Sequence, residues 1–331
     1  MTPEPGARPR ASATGGAGIG GPSRPGRARA TPFAQRDLSV AGLRVRYVDV
    51  GPVFRAEGTA QAVLPVLLIP GHTSRVEEYD GIVPALARRR RVLVLDFPGS
   101  GYAEKPDRPY SLRLYEDTVL GFLDALGIAR AHLAGGSLGG NLVLRLGHRE
   151  PERFERLLPW APGSAWRANP RLARVLRRIT SRAAFWPIVR IQSRYWYRKD
   201  WEGRAAALAD TFTYYREVLC PGFVRMYFDM AADQVERSLF DLAPAIQQPV
   251  WLGWGDQDHG ARMGQGVARL ARMLPRCELQ VFPGARHSLA AEIPDALAAA
   301  LIGFLDRPAA ALPLSRPSGT PPVQVTPRDG R

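Results

Sequence analysis

The stretch His132-Leu133-Ala134-Gly135-Gly136-Ser137-Leu138-Gly139-Gly140-Asn141-Leu142-Val143 passes from a short apolar run, through glycines around one serine, into a helical pattern that Leu146 continues. Its centre, Gly135 to Gly139, spells G-x-S-x-G, and a strand before and a helix after are the context that pattern requires. A strand-to-helix turn this sharp leaves no room for neighbouring side chains. Flanking glycines let it close, and the serine hydroxyl is thrust out at the top of a sheet. The start of the following helix points N–H groups and a partial positive charge at the same place. Taken alone, the pentapeptide also fits an ordinary serine in a tight turn.

Outward from this stretch the chain alternates strand and helix. Unalternating apolar runs mark buried strands. They are Val66-Leu67-Leu68-Ile69, Val92-Leu93-Val94-Leu95, His132-Leu133-Ala134, Val250-Trp251-Leu252 and Leu279-Gln280-Val281. Leu43 to Val50 alternates and reads as an earlier, half-exposed strand. Helical patterns fall at 76–88, 112–126, 138–149, 262–274 and 293–305. The expectation is an α/β fold: a mostly parallel sheet with helices on both faces.

Between 164 and 240 the alternation stops and only helical patterns remain. Asn169-Pro170 reads as a helix start, a cap followed by proline in the first turn. Leu172, Val175, Leu176 and Ile179 then fall on one face. This stretch reads as an all-helical insertion on a core made of 32–163 and 241–306. Residues 1–31 and 307–331 are poor in apolar groups or rich in proline, and are expected to be disordered tails. Gly16, Gly18 and Gly21 spell G-x-G-x-x-G in the first tail, but no strand precedes them and no helix follows, as a dinucleotide fingerprint needs.

The chain has 331 residues and a net charge of +14. Residues 1–31 carry +4, 164–240 carry +7 and 307–331 carry +3, which leaves the rest neutral overall. Lysine occurs only at Lys105 and Lys199, and the arginine excess with abundant Ala, Gly and Pro reads as composition bias. No nucleic-acid-binding pattern accompanies it, so no nucleic-acid partner is expected. The basic insertion leaves open a peripheral contact with an anionic membrane. Cys220 and Cys277 cannot form a disulfide scaffold, and no metal-ligand spacing occurs, so neither metal nor cofactor is expected. No apolar run is long enough to span a membrane, and with no apolar leader segment a cytoplasmic setting is expected.

Over about 32–306 the chain resembles the α/β-hydrolase family. The likeness rests on Gly135-Gly136-Ser137-Leu138-Gly139, on Trp254-Gly255-Asp256-Gln257-Asp258 after the insertion, and on Phe282-Pro283-Gly284-Ala285-Arg286-His287 after the last core strand. In that family a serine, an acid and a histidine follow one another along the chain. The resemblance implies Ser137 as nucleophile, Asp258 as the acid that orients the ring, and His287 as general base and acid. Asp258 lies 121 residues after Ser137, and His287 a further 29. A serine hydroxyl is a poor nucleophile at neutral pH, whereas a histidine can take its proton and return it to the leaving group.

The same resemblance implies oxyanion donors at the main-chain N–H groups of Leu138 and His72, the latter in Pro70-Gly71-His72-Thr73 where the family usually has His-Gly. It makes the insertion a cap over the site, and the cap's aromatic residues imply an apolar pocket for a hydrophobic acyl or alcohol group. Asp256 is expected to shape its turn, Asp96 to belong to a structural turn with Gly99 and Gly101, and His132 and His148 to be structural. His259, beside the acid, is expected to face solvent or the cap. The implied activity is hydrolysis of a carboxylic ester or related acyl compound. Carbon–carbon bond hydrolysis of ring-cleavage products is an alternative, although relatives of that kind commonly carry Asn and Trp where this chain has Gly136 and Ser288. Haloperoxidase or perhydrolase activity and a catalytically silent binding protein complete the alternatives.

Overall fold

The computed structural model describes residues 27–52, 63–179, 181–258, 261–315, 321 and 323–325. The strands are β1 (Gln35–Val40), β2 (Leu43–Val50), β3 (Val66–Ile69), β4 (Val92–Leu95), β5 (Ala131–Gly136), β6 (Phe154–Trp160), β7 (Val250–Gly255), β8 (Cys277–Phe282) and β9 (Val323–Val325). They form one sheet in the order β1-β2-β4-β3-β5-β6-β7-β8-β9. β1 and β2 run antiparallel, and β2 joins β4 antiparallel; from β4 to β9 every pairing is parallel. Every residue of β3 and β4 is buried, because helices cover both faces.

The helices of the core are α1 (Val83–Ala87), α2 (Leu112–Ala125), α3 (Leu138–Arg149), α8 (Ala261–Met273), α9 (Leu289–Glu292) and α10 (Pro294–Leu305). Between β6 and β7 stand α4 (Pro170–Arg177), α5 (Arg182–Trp196), α6 (Arg204–Val218) and α7 (Pro221–Glu236), the helical insertion. Asn169 caps α4 by accepting from the Leu172 N–H at 3.0 Å.

Several details depart from the sequence reading. The single helix expected over 76–88 is a 3₁₀ turn, Val76–Tyr79, followed by α1. Pro84 has no N–H to continue a helix through 80 and its ring would crowd the preceding turn. Leu176 on α4 and Ile179 just after it pack against the core, but Leu172 and Val175 are 45% and 54% exposed. The two-turn helix seats Ala173 inward instead, while Arg177 reaches Asp233 and Glu236 on α7.

The described parts of both expected tails contribute to the packed structure. The Ala28 and Arg29 N–H groups donate to Glu217 and Asp210 of α6, and the Thr31 hydroxyl donates to Asp80. At the other end, Arg156 donates to the carbonyls of Phe304, Leu305 and Arg307, Arg307 pairs with Glu278, and Leu312 is buried. β9 adds a parallel edge strand to β8. The glycine pattern at 16–21 lies outside the described residues.

One buried ionic knot ties the sheet to the loop below the site. Arg46 on β2 pairs with Asp96 at 2.6 Å and with Glu77 at 2.8 Å, and all three side chains are almost wholly buried. Asp96 also accepts from the N–H groups of Val76 and Tyr102 at 2.8 and 2.7 Å, which accounts for its place in a structural turn. Truncating one member of such a knot leaves uncompensated charge in the interior. Arg46→Ala is therefore expected to lower unfolding free energy by about 3–5 kcal/mol, read from urea unfolding. A loss under about 1 kcal/mol would mean that water reaches the two carboxylates.

Candidate active site

Ser137 joins β5 to α3 with φ 55° and ψ −119°, a left-handed backbone that is costly for a residue with a side chain. The neighbours hold it there. The Ser137 N–H donates to the Trp160 carbonyl at 3.1 Å, and its carbonyl accepts from Asn141 and Gly163 at 3.0 and 2.9 Å. A Cβ on Gly139 would come within 1.9 Å of the Ile69 carbonyl, so only glycine lets α3 approach β3 this closely. A Cβ on Gly136 would meet the Trp160 indole nitrogen at 2.3 Å. Leu138 opens α3, so its N–H is among the first-turn donors that a helix leaves unpaired.

Asp258 follows β7 and His287 follows β8, neighbouring parallel strands that bring their ends together. His287 Nδ1 lies 2.9 Å from Asp258 Oδ2, and the Asp258 side chain is 1% exposed. Burial alone would lower the His287 pKa. The Asp258 carboxylate reverses this by charge and hydrogen bond, with smaller help from Glu78 and Glu292, so the ring titrates above its ordinary value. Asp256 does not join the pair. It is exposed and accepts from the Gly284 N–H at 2.7 Å, tying the two turns together as a shaping residue would. His132 is buried at the far end of β5, its pKa pushed down to about 3 by burial and then by nearby arginines. His259 lies outside the described residues.

Ser137, His72, Asp258 and His287 line one cavity of about 720 Å³ between the core and the insertion. The insertion supplies an aromatic wall that includes Trp166, Tyr195, Trp196, Tyr197, Trp201 and Tyr215. Other insertion aromatics, Phe185, Phe223 and Phe228, are fully buried and pack its own interior.

Two residues of the site, Thr73 and Glu78, have no role in the sequence reading. Thr73 sits at φ 60°, an outlier for a β-branched residue. Its hydroxyl donates to the His72 carbonyl at 2.5 Å and meets the Tyr215 hydroxyl of α6 at 2.8 Å, so the insertion braces the loop that carries His72. Glu78 accepts from the Gly71 N–H at 3.1 Å. Burial raises the Glu78 pKa, opposed by the Ser74 hydroxyl and that N–H. The His72 ring stacks on Tyr227 with centroids 4.9 Å apart. Burial pushes its pKa down to about 4, partly offset by a hydrogen bond to the Tyr227 backbone, so the ring is neutral near pH 7.

Among the described residues no cluster of three or more His, Cys, Asp or Glu side chains is placed to hold a metal ion. No helix among them is long and apolar enough to cross a membrane.

Comparison with known proteins agrees with the fold. The family model described as the alpha/beta hydrolase family matches residues 66–300. A 2-hydroxymuconate semialdehyde hydrolase of Pseudomonas putida is 29% identical over 279 residues, 78% of this chain and 89% of that protein. A protein of the same name from Pseudomonas sp. strain CF600 is 34% identical over 170 residues, 47% of this chain and 56% of that protein. Thus the matched region spans little more than half the length of the CF600 relative. Among solved structures, the enol-lactonase from Burkholderia xenovorans LB400 superposes with a TM-score of 0.67 at 25% identity, covering 82% of this chain and 100% of that one. The matched span includes the turn at Ser137, the Asp258–His287 pair and the helical insertion: this chain belongs to the alpha/beta hydrolase family.

Proposed function

We propose that the protein is a serine hydrolase that cleaves a carboxylic ester or related acyl compound bearing a hydrophobic group, through an acyl-enzyme. The observation that carries this reading is Ser137, forced into a left-handed turn at a helix start, facing the same cavity as a histidine already paired with a buried aspartate. In the proposed cycle His287 takes the Ser137 proton as the oxygen attacks the acyl carbon. Asp258 holds the ring in the tautomer with Nδ1–H and stabilises the imidazolium. His287 then protonates the leaving group, and water repeats the sequence to release the acid. The N–H groups of Leu138 and His72 receive the developing oxyanion. The Gly71 N–H is already given to Glu78.

The two relatives named 2-hydroxymuconate semialdehyde hydrolase favour a second reading, carbon–carbon bond hydrolysis with the same three residues. Two observations weigh against it. Trp160 fills the space that a side chain at 136 would need. A carboxylate-bearing ring-cleavage product would also need a cation, and the cavity's arginines are committed: Arg75 to Asp210 and Glu77, Arg29 to Asp80. The four-helix insertion speaks against the perhydrolase alternative, whose members usually have little cap.

A fluorophosphonate probe is expected to label the wild type and not Ser137→Ala. His287→Ala should lower ester turnover by orders of magnitude, roughly 10⁴-fold or more. An unlabelled wild type would turn the proposal toward a binding protein. Ester chain length supplies a further check: kcat/KM should rise from acetate to longer or aromatic acyl groups, and equal values would contradict an apolar pocket. In an NMR titration the His287 pKa is expected above the ordinary value of about 6.5, and lower in Asp258→Asn. Since only the neutral ring accepts the proton, the acid limb of kcat/KM should follow it. A limb that stays in place in Asp258→Asn would detach this pair from catalysis.

A further inference from the structure

The cavity contains one acidic side chain whose charge is not balanced. Four carboxylates line it: Glu77, Glu78, Asp210 and Asp258. Glu77 pairs with Arg46 and Arg75, Asp210 with Arg75, and Asp258 with His287. Glu78 makes no salt bridge with Lys or Arg among the described residues; its partners are the Gly71 N–H and the Ser74 hydroxyl. This stands out in a chain with 45 basic and 31 acidic residues. A desolvated carboxylate without a cation is costly, and it becomes favourable when a cation joins it.

Its surroundings are aromatic. Tyr197 and Tyr215 line the same cavity, and each phenol has a raised pKa, from burial first and with the Glu78 charge among the further causes. Glu78 lines this cavity together with Ser137 and His287, and the Gly71 N–H that it holds lies two residues before Thr73, whose hydroxyl meets that of Tyr215 at 2.8 Å. A carboxylate beside electron-rich rings is the chemistry that recognises an organic ammonium ion.

We propose that the cavity selects a substrate carrying a cationic ammonium group, with Glu78 as its counter-ion and Tyr197 and Tyr215 beside it, and that Glu78 thereby determines specificity. The inference rests on the serine-hydrolase reading for taking this cavity as the substrate site. The binding itself requires no turnover. A cation at Glu78 would also offset the negative charge that this side chain presents to His287, leaving the imidazole neutral over a wider range of pH when the proper substrate is bound.

The test uses the full chain and a matched pair of probes, 4-phenylbutylammonium and the neutral 4-phenylbutanol, with binding read by calorimetry at mildly alkaline pH and low salt. The ammonium is expected to bind about tenfold or more tightly than the alcohol. Glu78→Gln keeps an acceptor for the Gly71 N–H while removing the charge, and should bring the two within about twofold. Equal binding to the wild type, or an ammonium advantage that survives in Glu78→Gln, overturns the proposal. Protection of wild-type Ser137 from fluorophosphonate labelling supplies a measurement independent of the variant's folding: the ammonium should slow labelling more than the alcohol does, and equal protection again overturns the proposal. Absence of all labelling would count against the serine-hydrolase reading, while the calorimetric ratio would still decide for or against the cation site.

Discussion

The close approach of α3 to β3 is the constraint on which the site depends. Gly139 lies so near the Ile69 carbonyl that the helix start and the strand end are held as one rigid corner. That corner forces Ser137 into its left-handed backbone and fixes where the first amides of α3 point. Parallel pairing of β7 with β8 then sets Asp258 beside His287 without further design, since both lie just beyond neighbouring strand ends. Ligands of open parallel sheets gather at that edge for the same reason.

The loop carrying His72 is shaped by two distinct forces. From below, the Arg46–Glu77–Asp96 knot anchors the turn at Val76, and the Glu78 carboxylate takes the Gly71 N–H. From above, Tyr215 holds Thr73 in an unfavourable backbone region through its hydroxyl. The helical insertion thus takes part in shaping the loop, as well as lining the cavity. Pro70-Gly71 in place of the usual His-Gly is compatible with this arrangement, because the bracing comes from residues outside that pair.

Much of the fold was legible because buried parallel strands leave plain apolar runs, as in Val66–Ile69 and Val92–Leu95, both of which are strands. β1 escaped notice because its residues, Gln35-Arg36-Asp37-Leu38-Ser39-Val40, are mostly exposed at the sheet's edge and carry little apolar signal. β9 lies in proline-rich sequence, and its pairing depends on β8, far away along the chain. The candidate Ser137, Asp258 and His287 could be marked in sequence because the turns that present them have tight local requirements. Glu78 could not: Glu77-Glu78 looks like a solvated charged pair, and only tertiary structure sets both at the cavity and gives arginine partners to Glu77 alone. The same limit applies to α4, where periodicity marked an apolar stripe but could not say how much of it another helix would cover.

The short segment ahead of β1 bears on how the roof of the cavity can move. An inserted unit is joined to its host by two crossings, here after β6 and before β7, which together would permit a swinging motion about that side. Ala28 and Arg29 clasp Glu217 and Asp210 on α6, while Thr31 and Arg29 hold Asp80 on the core. This tether adds to the Thr73–Tyr215 and Arg75–Asp210 contacts, so a swing of the insertion would have to break bonds on the side away from its two crossings.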